Sequence, residues 1–135
     1  MKPINIGLMG VGTVGGGTAT VLKRNAEEIS RRAGREIRQF MAANRDLARA
    51  REVVGDGVPL VDDAFQVVNH PEVDIVVELI GGDTIAKELV LKAIDNGKHV
   101  VTANKALIAV HGNEIFAKAR EKGVIVAFEA AVAGG

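Results

Sequence analysis

Short apolar runs alternate with amphipathic stretches along the 135 residues of the chain, the rhythm of an α/β domain. Residues 4–9 form an apolar run of strand length that stops at Gly10. From Thr13 to about Arg32 the period changes, and Val14, Val21, Leu22 and Ile29 share one face at about 3.6 residues per turn. Lys23, Arg24, Glu27 and Glu28 fall largely elsewhere, and Gly34 is a stop signal. Residues 35–54 are ambiguous on local pattern. Ile37, Phe40, Met41, Leu47 and Ala48 suit a helix face, whereas the α/β order demands a strand over 37–43 and then a short helix. Beyond them the pattern predicts a short strand at 59–61 and a helix capped by Asp62 or Asp63 and ending near Asn69. It continues with a strand over 74–80, a helix over 84–96 closed by Gly97, and a strand over 99–102. A helix over 113–122 closed by Gly123 and a strand over 124–128 complete it. The nearly unbroken apolar run before Gly81 is that of a strand buried on both faces, as in a parallel sheet.

Composition narrows the classes. Apolar residues are 47% and charged residues 25%, so the chain is globular rather than disordered. Seventeen basic and seventeen acidic residues cancel, which gives no reason to expect a nucleic-acid partner. Cysteine is absent, which excludes disulfides, thiolate metal sites and a cysteine nucleophile. Glycines interrupt the first apolar stretch, so neither a signal peptide nor a membrane span is predicted, and the expected location is cytoplasmic. The length suits one domain over 1–135. Apolar Ala130-Ala131-Val132 directly follows the last predicted strand, which raises the expectation of a second domain beyond Gly135.

The chemistry begins at Gly10-Val11-Gly12-Thr13-Val14-Gly15. A lone GxGxxG is weak, but here a strand precedes it and a long helix follows, the context of a Rossmann-type dinucleotide site. Gly10 permits the tight turn, Gly12 lets the backbone approach a pyrophosphate, and Gly15 lets the helix pack close to the strand. Thr13 and Val14 open the helix, whose free N–H groups and positive dipole end face the phosphates. A ligand-free glycine turn is the alternative. The expected fold is therefore a doubly wound, mainly parallel sheet with helices on both faces.

In such a sheet ligands lie beyond the carboxyl ends of the strands. The second strand ends at Ala43-Asn44-Arg45-Asp46, where Arg45 suits a 2′-phosphate and inclines the choice to NADP. A merely solvated arginine leaves NAD open. Ile80 and Gly81, in Ile80-Gly81-Gly82-Asp83, let backbone pass beside a cofactor or simply turn. Glu78 is a carboxylate inside an apolar strand and requires a partner, which points to a structural role. Thr102 and Lys105, in Thr102-Ala103-Asn104-Lys105, fall at the nicotinamide end, where a lysine holds a carboxylate or carbonyl, or is only solvated. Glu129, beside backbone carbonyls, suits a hard cation or is an ordinary surface residue. His70 and His111 look like loop residues and His99 starts a strand. None of the three is assigned a role.

Gly7-Leu8-Met9-Gly10-Val11-Gly12-Thr13-Val14-Gly15, Asn44-Arg45-Asp46-Leu47, Val76-Val77-Glu78-Leu79-Ile80-Gly81-Gly82, Thr102-Ala103-Asn104-Lys105-Ala106-Leu107 and Phe128-Glu129-Ala130-Ala131-Val132-Ala133-Gly134-Gly135 occur in that order. Together they resemble the amino-terminal nucleotide-binding domain of the homoserine dehydrogenase family. The resemblance implies NAD(P)-dependent interconversion of L-homoserine and L-aspartate 4-semialdehyde, on the route to threonine, methionine and isoleucine, by a homo-oligomer. It makes residues 37–43 a strand and Lys105 functional. It also assigns Glu129, with the carbonyls of Val132 and Gly134, to a sodium or potassium site. The family's acidic substrate residues and proton-donor lysine belong to the following domain, so 1–135 alone is expected to supply cofactor binding and no turnover. Gly16-Gly17 and the polar Ile37-Arg38-Gln39-Phe40-Met41 depart from the family pattern. Another NAD(P)-dependent amino-acid or semialdehyde dehydrogenase and a non-catalytic nucleotide sensor are the competing readings.

Overall fold

A computed structural model describes residues 2–10, 28, 31, 32, 34, 36–54 and 57–128. Gly12, Thr13, Val14 and Gly15, most of the predicted first helix, and Glu129, Val132 and Gly134 lie outside the described residues. The tail of that helix is helical at Arg31 and Arg32, and Gly34 follows with φ of +67°, its N–H donating to the Arg31 carbonyl.

The described strands are β1 (Ile4–Met9), β2 (Ile37–Ala43), β3 (Leu60–Val61), β4 (Ile75–Glu78), β5 (His99–Thr102) and β6 (Val126–Phe128). The described helices are α1 (Leu47–Val54), α2 (Phe65–Val68), α3 (Ile85–Asp95) and α4 (Lys105–Lys122). All strand pairs are parallel, in the order β3-β2-β1-β4-β5-β6. This is the doubly wound order, with its reversal between β1 and β4.

Side chains alternate between two buried faces, as period-two strands require. Ile4, Ile6, Leu8, Ile75, Val77 and Val101 pack on one face with Ala50 of α1. Met9, Met41, Val76 and Val100 pack on the other against α2, α3 and α4 through Val67, Leu89, Ala93, Leu107 and Ile115. Gly7 faces α2, and a Cβ there would collide with a Val67 methyl. The short helix therefore sits on β1 only because residue 7 has no side chain.

The ambiguous segment resolves as strand β2, whose polarity has a physical reason. Only Met41, Ala42 and Ala43 are buried, while the amino end of the strand is partly or fully exposed. Arg38 donates from Nε to Asn5 Oδ1 at 3.1 Å, and its guanidinium lies 5.4 Å from the Phe40 ring centre. The register slips by one at Phe40, since Ile6 pairs with Gln39 but Gly7 pairs with Met41. Phe40 turns its ring edge-on to His70, with centroids 4.9 Å apart. Neither proposed aspartate is the cap: Ala64 holds that position without a side-chain cap bond, and Asp63, one residue earlier, accepts the Phe65 N–H at 2.9 Å.

One prediction is corrected. The last helix starts at Lys105, not at Asn113, so His111 and Gly112 are helical rather than loop residues. Asn104 nucleates it by accepting the Leu107 N–H at 3.0 Å. Gly112 is buried mid-helix, and a Cβ there would make only an ordinary contact, 3.4 Å from an Ile108 methyl. His111 Nε2 stands 4.0 Å from Asp83 Oδ2.

The amino-terminal end of the sheet carries a separate polar cluster. Asn5 N–H donates to Asp74 Oδ2 at 2.8 Å, and buried Lys98 donates to the His70 and Val73 carbonyls at 2.6 and 2.7 Å. His99 Nδ1 accepts the Ile125 N–H at 2.9 Å, joining the entry of β6 to β5. Burial pushes the His99 pKa below the usual histidine value, partly offset by the Asp74 carboxylate. The depressed value means that the unfolded chain binds the proton more readily, so stability is lost as pH falls below about 6.5. Comparison of urea midpoints at about pH 7.5 and about pH 5.5 should show a smaller drop for His99→Asn, which keeps an acceptor near Nδ1 but does not titrate. An unchanged drop would remove His99 as the cause.

Candidate functional site

The topological reversal opens a crevice at the carboxyl ends of β1 and β4. A cleft of about 640 Å³ lies there, lined by Gly10, Arg45, Ile80, Phe65 and Ile85 among others, within the usual range for small-molecule sites. Its floor is a contact between two strand ends. Gly10 has φ of +81°, and a Cβ there would lie 2.9 Å from Ile80 Cα and 3.0 Å from Ile80 N. Gly10 N–H donates to the Ala43 carbonyl at 2.8 Å, and Leu79 N–H donates to the Met9 carbonyl at 2.8 Å. The glycine thus provides a close approach as well as the turn expected of it.

Three predicted residues, Gly10, Arg45 and Ile80, meet in this cleft. Arg45 is exposed at its rim, and Asp46, Asp62 and Asp63 line the same cleft. Arg45 is the one cation among the described lining residues. Sequence reasoning missed Phe65, Asp62 and Asp63 as lining residues. Their position follows from the pairing of β3 with β2, Ala42 opposite Leu60 and Ala43 opposite Val61, which no local pattern reports.

Gly81, Thr102 and Lys105 do not line it among the described residues. Gly81 and Thr102 belong to an adjoining network centred on Glu78, which is 1% exposed. The parallel register sets Glu78 opposite Thr102. Glu78 Oε2 accepts the N–H groups of Ile80 and Gly81 at 2.7 and 3.0 Å, and its Oε1 accepts the Thr102 hydroxyl at 2.6 Å. The Thr102 oxygen accepts the Asn104 N–H at 3.0 Å, and Asn104 Nδ2 donates to the Gly82 carbonyl at 2.5 Å. The buried carboxylate therefore has the structural partners its burial requires. Lys105 follows directly as the first residue of α4, with an exposed side chain. Asn104 is the residue that sequence reasoning overlooked. An asparagine immediately before a helix is the available signal, but it was hidden by the misplaced helix start.

The described residues contain no group of three or more histidines, aspartates or glutamates placed to hold a metal ion. No described helix is long and apolar enough to cross a membrane.

Residues 10–129 match the family model described as homoserine dehydrogenase, NAD binding domain. Homoserine dehydrogenase from Pseudomonas aeruginosa is 68% identical over 136 residues, covering 100% of this chain and 31% of that protein. The homoserine dehydrogenase of Neisseria gonorrhoeae is 60% identical over 135 residues, with the same coverage of 100% and 31%. The chain thus spans 31% of the length of these curated relatives. Among solved structures, a homoserine dehydrogenase from Thiobacillus denitrificans superposes with a TM-score of 0.82 at 66% identity, covering 97% of this chain and 30% of that one. The S. aureus enzyme gives 0.77 at 35% identity, covering 96% and 33%.

Proposed function

The chain belongs to the homoserine dehydrogenase family through its NAD-binding domain, and on that premise we propose that it is the cofactor-binding part of an NAD(P)-dependent oxidoreductase interconverting L-homoserine and L-aspartate 4-semialdehyde. The observation that carries this reading is the cleft at the β1–β4 reversal, floored by the approach of Gly10 to Ile80. Size and position suit a dinucleotide there. When bound, NAD(P) supplies the hydride exchanged with the aldehyde carbon. The chain's own residues bind and orient: Gly10 and Ile80 form the floor, Arg45 faces the adenosine ribose, and Lys105 holds a substrate oxygen at the far end. Threonine, methionine and isoleucine synthesis in the cytoplasm, a homo-oligomeric assembly, and a sodium or potassium ion at Glu129, Val132 and Gly134 belong to the same reading and rest on the family likeness.

The complete gene product, assayed with L-aspartate 4-semialdehyde and NADPH or NADH, should turn over. No turnover with either cofactor overturns the proposal.

NADP is the preferred cofactor in this reading, supported by Arg45 as the one cation among the described lining residues, beside three carboxylates. A 2′-phosphate placed among those carboxylates depends on the guanidinium for its charge partner. Because Arg45 is exposed, solvent screening limits the effect. Arg45→Ala is expected to weaken NADPH binding roughly tenfold with little change for NADH, measured by fluorescence titration. Equal losses for the two cofactors would remove Arg45 from that role.

A further inference from the structure

The turn after β4 contains Gly81 and Gly82, with φ of +84° and +73°. A Cβ at either position would meet nothing within 4 Å. Ile80 packs against the core, but side-chain packing does not fix Gly81 and Gly82, and glycine gives them little stiffness of its own. Polar contacts hold it at both ends. Glu78 Oε2 accepts from the N–H groups of Ile80 and Gly81, and Asn104 Nδ2 donates to the Gly82 carbonyl. The two holds are joined through buried groups, because Glu78 Oε1 bonds Thr102, whose oxygen bonds the Asn104 backbone. Asn104 also starts α4 by capping Leu107, one residue before Lys105. Glu78, Thr102 and Asn104 are each 9% exposed or less, so water is kept from the Glu78–Thr102–Asn104 links, while Gly81 and Gly82 themselves are exposed.

We propose that Glu78, Thr102 and Asn104 are positioning residues that lock the Ile80–Gly82 turn, on the cofactor side, to the first turn of α4, which carries Lys105. None of the three has to touch cofactor or substrate. They act by fixing the spacing between the cleft floor and the lysine, and the inference rests on the functional reading above only where turnover is measured. A displacement of about 1 Å at a reacting group costs about 100-fold in rate, so a loose turn at this junction should appear in kcat rather than in nucleotide binding.

The test uses the complete gene product with three substitutions. Thr102→Val removes the central hydroxyl while keeping the shape, and Thr102→Ser keeps the hydroxyl. Asn104→Ser keeps a helix cap but cannot reach Gly82, so it carries the test even if Thr102→Val fails to fold. Amide exchange in the ligand-free protein, followed by mass spectrometry, reads the coupling without turnover. Asn104→Ser should speed exchange of the Ile80 and Gly81 N–H groups across the sheet while Leu107 stays protected. In turnover assays, Thr102→Val and Asn104→Ser should lower kcat by about 10- to 100-fold with the nucleotide KM little changed, and Thr102→Ser should recover most of the loss. Unchanged exchange at 80–81 in Asn104→Ser overturns the proposal. So does a loss of stability alone, with kcat per folded molecule intact. A parent protein without turnover overturns the functional reading instead, and the exchange result still decides the coupling.

Discussion

Lys105→Ala in the complete gene product is expected to lower kcat by about 10²–10⁴-fold while nucleotide affinity and folding stability are retained. Lys105 is the first residue of α4, with an exposed side chain. A cation at a helix N-terminus opposes the macrodipole at a cost of about 0.3–1 kcal/mol. Alanine has the better helix propensity, so the substitution should leave stability unchanged or slightly raised. The lysine thus stands against local stability, a pattern expected where a site is kept for function. Its position beyond the carboxyl end of β5, one strand from the β1–β4 crevice, suits a group that grips a substrate oxygen rather than the adenosine half of a cofactor. Steady-state kinetics with both cofactors, beside a nucleotide titration and a urea melt, make the measurement. Intact turnover in Lys105→Ala would favour a nucleotide sensor, which needs no lysine there.

What could be read in the sequence depended on how completely an element is buried. β4 and β5 have apolar centres, Ile75–Val77 and Val100–Val101, with both faces covered, and α3 repeats its buried positions at a helical period before Gly97. Those segments emerged within a residue or two of their true limits. β2 was ambiguous because half of it faces solvent and its register slips at Phe40, which blurs both periods. The start of α4 was hidden by His111-Gly112, a pair that looks like a breaker although both residues lie inside the helix. The same division runs through the site. Arg45 and Ile80 were legible from their places at strand ends. Glu78 was legible as a carboxylate in want of a partner. That the partner is Thr102, 24 residues away, and that Asn104 closes the network, depends on strand register and not on any local motif.

Gly10→Ala should cost the most stability of any substitution considered, on the order of 2–5 kcal/mol. Two penalties combine. A φ of +81° is unfavourable for any residue with a Cβ, by about 1–2 kcal/mol. The added methyl would also lie 2.9 Å from Ile80 Cα and 3.0 Å from Ile80 N. Those are backbone atoms, and neither strand end is free to retreat. Gly10 N–H is bonded to the Ala43 carbonyl, and Ile80 N–H is held by the buried Glu78. Overpacking against a fixed backbone adds about 1–3 kcal/mol. Any relief parts β1 from β4 at the cleft floor, so NADPH binding should weaken with stability. Gly97→Ala is the control: its φ is +78°, but a Cβ there meets nothing within 4 Å, so it suffers the first penalty alone. Urea midpoints for the two variants, with equal m-values, should differ by the contact term, and a fluorescence titration should show NADPH affinity lost only in Gly10→Ala. Equal destabilisation by the two substitutions would mean that the approach of Gly10 to Ile80 does not set the cost, and that the glycine is there for its backbone angle alone.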